Sequence, residues 1–264
     1  LVMVLLSANA QKRAFTIEDL YRVKGLSSVS LSPDGKTVCY TASSSDLKNQ
    51  KSGSDIYIMN ADGSHAKALT EDGKSSSAVW SKDGKSIFFT NYEKGTAQIF
   101  RMDLTTCETE QVTDYELGIG SPVISPDERY IAFTAEVYPD LGADAKANKA
   151  RMEKKEQGPV QAHIADKLLY RHWTSYNDGR CNHLILFDTQ TKTYKDLTPG
   201  NYSLIFVVGG GITYQFSPDS KEICFVSNHD EHQEASTNAD LWTVSVNGGE
   251  PVCITKENKA WDGT

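Results

Sequence analysis

Two gapless blocks, each written four times, predict an all-β chain of β-propeller blades. Four four-stranded antiparallel blades are visible, in a ring that the sequence leaves incomplete. The first block has ten residues: Ser32–Thr41 (SPDGKTVCYT), Ser81–Thr90 (SKDGKSIFFT), Ser125–Thr134 (SPDERYIAFT) and Ser217–Val226 (SPDSKEICFV). The second has sixteen, running from Asp55, Gln98, His183 and Asp240 to Thr70, Thr113, Thr198 and Thr255. A repeat of roughly 45 residues with no helical period inside it suits a propeller blade, whereas a β-helix repeats at much shorter intervals.

Each block reads as two strands. Ser-Pro-Asp-Gly fits a type I turn, with Pro presetting φ at the second position and Asp and Gly completing it. A strand follows in which Val38/Tyr40, Ile87/Phe89, Ile131/Phe133 and Ile223/Phe225 alternate at period two. The second block opens with a strand carrying Tyr57, Phe100, Ile185 or Trp242 at one position, turns at NADGS, DLTTC, DTQTK or SVNGG, and returns to the closing threonine. Short runs before each turn (SVSL, SAVW, SPVI, TYQF) supply the fourth strand.

The chain then divides into a signal-peptide remnant (1–10), an N-terminal arm (11–26) and an incomplete propeller (27–264). Its blades fall at about 27–70, 76–113, 121–198 and 212–255, with a partly helical insertion at 135–182. LVMVLLSANA is too short to span a bilayer and ends in Ala-Asn-Ala, the small-x-small pattern of a cleavage site, so Gln11 is the expected mature start and the destination periplasmic or secreted; the alternative is a buried apolar first strand. A net charge of −8 with no dense Lys/Arg run argues against a nucleic-acid surface. Of five cysteines, Cys39 and Cys224 occupy equivalent packing positions in their blades; pairing among Cys107, Cys181 and Cys253 is left open.

Antiparallel alternation puts the joint between a blade's second and third strands on the same rim as the joint between blades, and that rim holds nearly all the length variation. Loops on a rigid scaffold are where binding concentrates. In the third-blade insertion ADAKANKARMEKKEQ suits an exposed helix, and Arg171, His172 and Trp173 follow among aromatic neighbours. The bland reading is that Trp173 plugs the insertion onto the blade. In the fourth-blade loop His229, Asp230, Glu231, His232 and Glu234 lack diagnostic metal-ligand spacing; a solvated acidic loop, or an anchor for a cationic group through Glu231 and Glu234, fits better. The repeated turn aspartates need only turn chemistry. No metal or other cofactor is expected.

No Gly-x-Ser-x-Gly elbow, phosphate loop or dinucleotide fingerprint occurs, so no catalytic residue can be named. FTIEDLYRVKGLSSVSLSPDGK, LLYRHWTSYNDGRCNHLILFD and STNADLW together resemble secreted bacterial serine peptidases of the prolyl oligopeptidase family, nearest the dipeptidyl peptidase 5 and acylaminoacyl-peptidase-like branch. The likeness runs from Phe15 to Thr264. That resemblance implies an N-terminal propeller that caps a C-terminal α/β-hydrolase domain with a Ser-Asp-His triad, admits peptide substrates and helps hold their N-terminal amine. The hydrolase domain is absent from these residues, and homo-oligomerisation is left open. Arg171, His172, Trp173, Glu231 and Glu234 are the expected substrate-contacting or gating residues, from their place on the elaborated rim. The alternative, from a different class, is a non-catalytic periplasmic propeller similar to TolB that binds envelope proteins.

Overall fold

The ten-residue block folds as it does because its opening serine is bonded three ways. The carbonyls of Ser32, Ser81, Ser125 and Ser217 accept the N–H three residues on at 2.8–2.9 Å, closing the turn. Their hydroxyls accept the N–H of Thr37, Ser86, Tyr130 and Glu222 at 2.9–3.1 Å and donate to Asp34, Asp83, Asp127 and Asp219 at 2.6–2.7 Å. The fourth turn residue is left-handed in every copy: Gly35 and Gly84 at φ +70°, Glu128 and Ser220 at φ +61°. Glycine adopts that conformation without penalty, and other residues do not. Where it is replaced, its side chain has a job: the Glu128 carboxylate accepts the Lys82 N–H, and the Ser220 hydroxyl accepts the Asp127 N–H at 3.1 Å. Each of these turns thereby hooks onto the turn of the blade before it.

The computed structural model describes residues 13–165, 168, 170–204 and 213–263, so the expected signal remnant lies outside the described residues. The chain divides into two compact units, one ending at Ala78 and one beginning at Val79. The first holds helix α1 (Ile17–Arg22), whose Asp19 carboxylate accepts the Thr16 N–H at 2.9 Å, and a sheet of β1 (Gly25–Leu31), β2 (Thr37–Asp46), β3 (Lys51–Asn60) and β4 (Lys67–Ala68) in that order. The sequence reads 42–54 as a long joint. Instead the β2–β3 ladder continues to Asp46 opposite Lys51, because small serines and Gly53 extend the pairing on a surface with no apolar face to constrain it.

The second sheet is β5 (Ser75–Trp80), β6 (Ser86–Asn91), β7 (Gln98–Asp103) and β8 (Thr109–Gln111). In the third, β9 (Gly120–Ile124) pairs β10 (Tyr130–Val137), and the chain leaves for α2 (Ala145–Glu156) and a hairpin of β11 (Arg171–His172) and β12 (Ser175–Tyr176). It returns as β13 (Cys181–Asp188) and β14 (Thr193–Asp196). The fourth is β15 (Tyr214–Phe216), β16 (Glu222–Ser227), β17 (Asp240–Ser245) and β18 (Val252–Cys253). Register repeats across blades: Tyr40 lies opposite Tyr57, Phe89 opposite Phe100, Phe133 opposite Ile185 and Phe225 opposite Trp242. All five cysteines are free.

The closing threonines explain why the second block never changes length. Thr70, Thr113, Thr198 and Thr255 each accept, through Oγ1, the N–H of the residue after the block's first, Ile56, Ile99, Leu184 or Leu241, at 2.9–3.0 Å. In three copies the same hydroxyl donates to the first residue's side chain: Asp55 at 3.2 Å, Gln98 at 2.8 Å and Asp240 at 3.0 Å. Within the second unit, strand alternation fills both faces of the third blade. Ile131, Phe133, Ile185 and Phe187 pack on Phe88 and Ile99 of the second blade, while Tyr130, Ala132, Leu184 and Leu186 pack on Phe216, Ile223 and Phe225 of the fourth. Gly120 is required where β9 meets β10, since a Cβ there would lie 2.5 Å from Thr134 Oγ1.

Thr113→Val should cost about 1–3 kcal/mol in urea unfolding, because it leaves the buried Ile99 N–H without an acceptor. Thr113→Ser, which keeps the hydroxyl, should recover most of it.

Candidate functional site

Helix α2 carries no apolar stripe, so it is fixed in place by polar pins. Asn148, fully buried, accepts the Tyr138 N–H at 2.7 Å and donates to the carbonyls of Gly142 (3.0 Å) and Asp144 (2.8 Å). Asp144 caps the helix through the Ala147 N–H at 2.9 Å. Arg151 grips Asp140 with two bonds of 2.7 Å and lies 4.7 Å over the Tyr138 ring. Sequence reasoning anticipates the helix and misses the device that holds it, because a buried asparagine gives no periodic signal.

Between α2, the second blade's β6–β7 loop and the connection 116–120 lies a cleft of about 610 Å³. Its floor is apolar (Ala97, Leu117, Ile119, Met152); its walls carry Glu116, Glu136, Glu153 and Glu156 against Lys149 and Arg180. Gly118, at φ +78°, lets the connection run close to the loop, where a Cβ would meet Thr96 at 3.2 Å. Lys149 pairs with Glu116 at 3.7 Å and Arg180 with Glu136 at 3.0 Å, whereas Glu153 and Glu156 have no side-chain partner among the described residues. The cleft is thus acidic with two uncommitted carboxylates, a setting that suits a cationic group over an apolar floor.

A second cavity, of about 450 Å³, also has Arg180 in its lining. Lys155, His163, Tyr170, Asn177, Asp178 and Asn201 line it, and His163 stacks flat on Tyr176 at 4.0 Å. Burial alone would raise the Asp178 carboxyl, but the Arg180 guanidinium at 2.9 Å outweighs it and holds it below the usual carboxylate range.

Of the residues expected from sequence, Arg171 and Trp173 come together on the β11–β12 hairpin and Glu231 lies in the loop between β16 and β17; none lines the acidic cleft. Trp173 is at the hairpin tip, at φ +49° and 85% exposed, which rules out the plug reading. Among the described residues Arg171 is the one arginine of seven with no carboxylate partner. Glu231 is exposed. The side chains of His172 and Glu234 lie outside those described. His229 is sandwiched between Tyr202 (3.6 Å) and Trp242 (3.9 Å), and burial lowers its pKa. No cluster of three or more His, Cys, Asp or Glu able to hold a metal occurs among the described residues, and none of their helices is long and apolar enough to cross a membrane.

A family profile described as TolB beta propeller domain matches residues 13–157, more than half of the chain. The chain belongs to the TolB β-propeller family. A second profile, the N-terminal region of dipeptidyl peptidase IV, matches residues 143–263 of this TolB-type propeller. Dipeptidyl-peptidase 5 of Porphyromonas gingivalis is 29% identical over 244 residues, which cover 90% of this chain and 35% of that protein. The solved acylaminoacyl peptidase of Pyrococcus horikoshii matches at TM-score 0.61 and 19% identity, over 89% of this chain and 32% of that one. TolB of Acinetobacter baumannii matches at TM-score 0.50 and 20% identity, over 84% and 41%. The chain is therefore similar to the N-terminal part of these peptidases. It spans about a third of the length of the curated relatives it matches.

One blade of this TolB-type propeller departs from the threonine pattern. In the third, the residue that opens the second block is His183, fully buried, with Nδ1 at 2.7 Å from Asp196 Oδ2 and Nε2 at 2.9 Å from the Gly200 carbonyl. Both partners only accept, so both ring nitrogens must donate and the ring is an imidazolium. Burial opposes that charge, but the Asp196 bond, helped by Cys181 and Gly200, outweighs it and raises the pKa to about 9. The folded-state value lies above the ordinary 6.5, so the stabilisation is complete below about pH 6.5 and disappears as pH rises through about 9. Unfolding free energy measured across pH 6–10 should fall over that window, and Asp196→Asn should flatten the fall while lowering stability by about 3–5 kcal/mol at neutral pH.

Proposed function

We propose that this propeller handles peptides for an exported serine exopeptidase of dipeptidyl peptidase type, gating and positioning them for an α/β-hydrolase domain of the same polypeptide. The observation that carries this reading is the acidic cleft. Glu153 and Glu156 stand uncommitted above an apolar floor, the chemistry that would receive a peptide's N-terminal ammonium and its first side chain. The likeness to dipeptidyl peptidases supports the substrate class. Arg171, His172, Trp173, Glu231 and Glu234 belong to this reading as rim residues along the peptide's approach. Export is part of the same proposal and rests on the LVMVLLSANA run.

A second reading, a TolB-like scaffold that binds envelope proteins, is favoured by the TolB profile itself, which fits more of the chain than the peptidase profile does. Fold alone does not decide between them. Expression of the whole reading frame, with fluorophosphonate labelling and analysis of peptide products, does. A labelled serine and dipeptides released from the N-terminus support the first reading; an intact frame with neither leaves the scaffold. In the active enzyme, Glu153→Gln combined with Glu156→Gln should lower kcat/KM for free-amine substrates by about tenfold. Dipeptide release unchanged by Trp173→Ala or Glu231→Ala would remove those residues from the path.

A further inference from the structure

We propose that the acidic cleft selects peptides that begin with a basic residue, taking the N-terminal ammonium and the cation of the first side chain on separate carboxylates. The inference rests on the peptide-handling reading above and names its substrate class. Every residue that lines this cleft lies among those described, so its charge can be counted. Glu116, Glu136, Glu153 and Glu156 against Lys149 and Arg180 leave the lining two charges negative. A single ammonium leaves half of that excess uncompensated. A ligand with two cations balances it.

The excess sits on one helix. Lys149 pairs with Glu116 and Arg180 with Glu136, so the carboxylates left over are Glu153 and Glu156, both exposed on α2. Three residues apart on a helix, they have Cβ atoms about 5–6 Å from one another, a gap that the four-carbon stem of a lysine bridges. The floor completes the match. Ala97 and Ile119 are buried there and Leu117 and Met152 half-buried, an apolar surface on which the methylenes of a lysine or arginine can lie while the charged head reaches a carboxylate in water. A neutral apolar side chain would cover the same floor and leave one carboxylate without a partner. An acidic one would add to the excess charge.

The test is kcat/KM of the enzyme from the whole reading frame on free-amine peptides that differ only in the first residue: lysine, Nε-acetyllysine, norleucine or glutamate. At low salt lysine should exceed both neutral residues by about fivefold, and glutamate should be the poorest. The lead should shrink as salt rises, because both carboxylates are exposed. Glu153→Gln or Glu156→Gln alone should bring lysine and norleucine close to parity, and a thermal melt matching that of the parent establishes that each variant is folded. If lysine and the neutral residues react alike while the double Gln variant loses activity on all of them, the separate side-chain carboxylate is wrong and the amine-binding reading stands. A lysine preference undiminished in the double variant overturns the assignment to Glu153 and Glu156. Absence of peptide products, or of any effect of the double variant on free-amine substrates, overturns both this inference and the reading beneath it.

Discussion

A threonine hydroxyl at the end of each second block, buried in the second and third blades and half-buried in the first and fourth, is the constraint on which the blades depend. A threonine that satisfies a backbone N–H near the block's start ties together two positions fourteen residues apart in sequence, at 2.9–3.0 Å in all four copies. Inserting or deleting a residue between them would break that bond and shift every side chain of the returning strand to the wrong face. The ten-residue block is pinned in the same manner by its serine and aspartate. Length can vary only where no such bond exists, at the joints, and so elaboration collects on the rim that holds them.

That rim obeys different physics. The blades are held by apolar surfaces that alternate on both sides of a strand, but the third-blade excursion has almost nothing apolar to bury against them. It relies on Asn148, Arg151 and Asp140, and on the Arg180 and Asp178 pair, to fix a helix of mixed charge in position. Such contacts are directional and leave charged groups at the surface. A scaffold assembled this way leaves Glu153 and Glu156 uncommitted at the cleft, where an apolar attachment would have left inert packing.

The blades were legible in the sequence because turn chemistry and period-two alternation are local, and both are repeated. The register of Phe133 with Ile185 and of Phe225 with Trp242 follows from the gapless count. The cleft was not legible, since Glu116, Glu136, Glu153 and Glu156 come from a connection, a strand end and a helix that meet only in three dimensions. The single local hint was the run of lysines and glutamates in α2, which reads equally well as a solvated face. Arg171 and Trp173 stood out as an unusual pair, and both are exposed on the β11–β12 hairpin. His229 of the fourth-blade loop stacks between Tyr202 and Trp242, a contact hidden in the sequence because Tyr202 lies outside the repeated blocks. His183 hid in plain view: its alignment with Asp55, Gln98 and Asp240 marks it as the odd member, yet the charge it carries follows only from the two acceptors around it.

The left-handed turn residues bear on how such a protein diversifies. Blades made from one duplicated unit are often pictured as exchangeable parts. Here Glu128 reaches the Lys82 backbone and Ser220 reaches the Asp127 backbone, each accepting the strain of a non-glycine residue to do so. A blade moved to another place in the order would keep the strain and lose its acceptor's partner. Shuffling is therefore penalised at these two junctions, and descent from a common repeat has become a fixed sequence of neighbours.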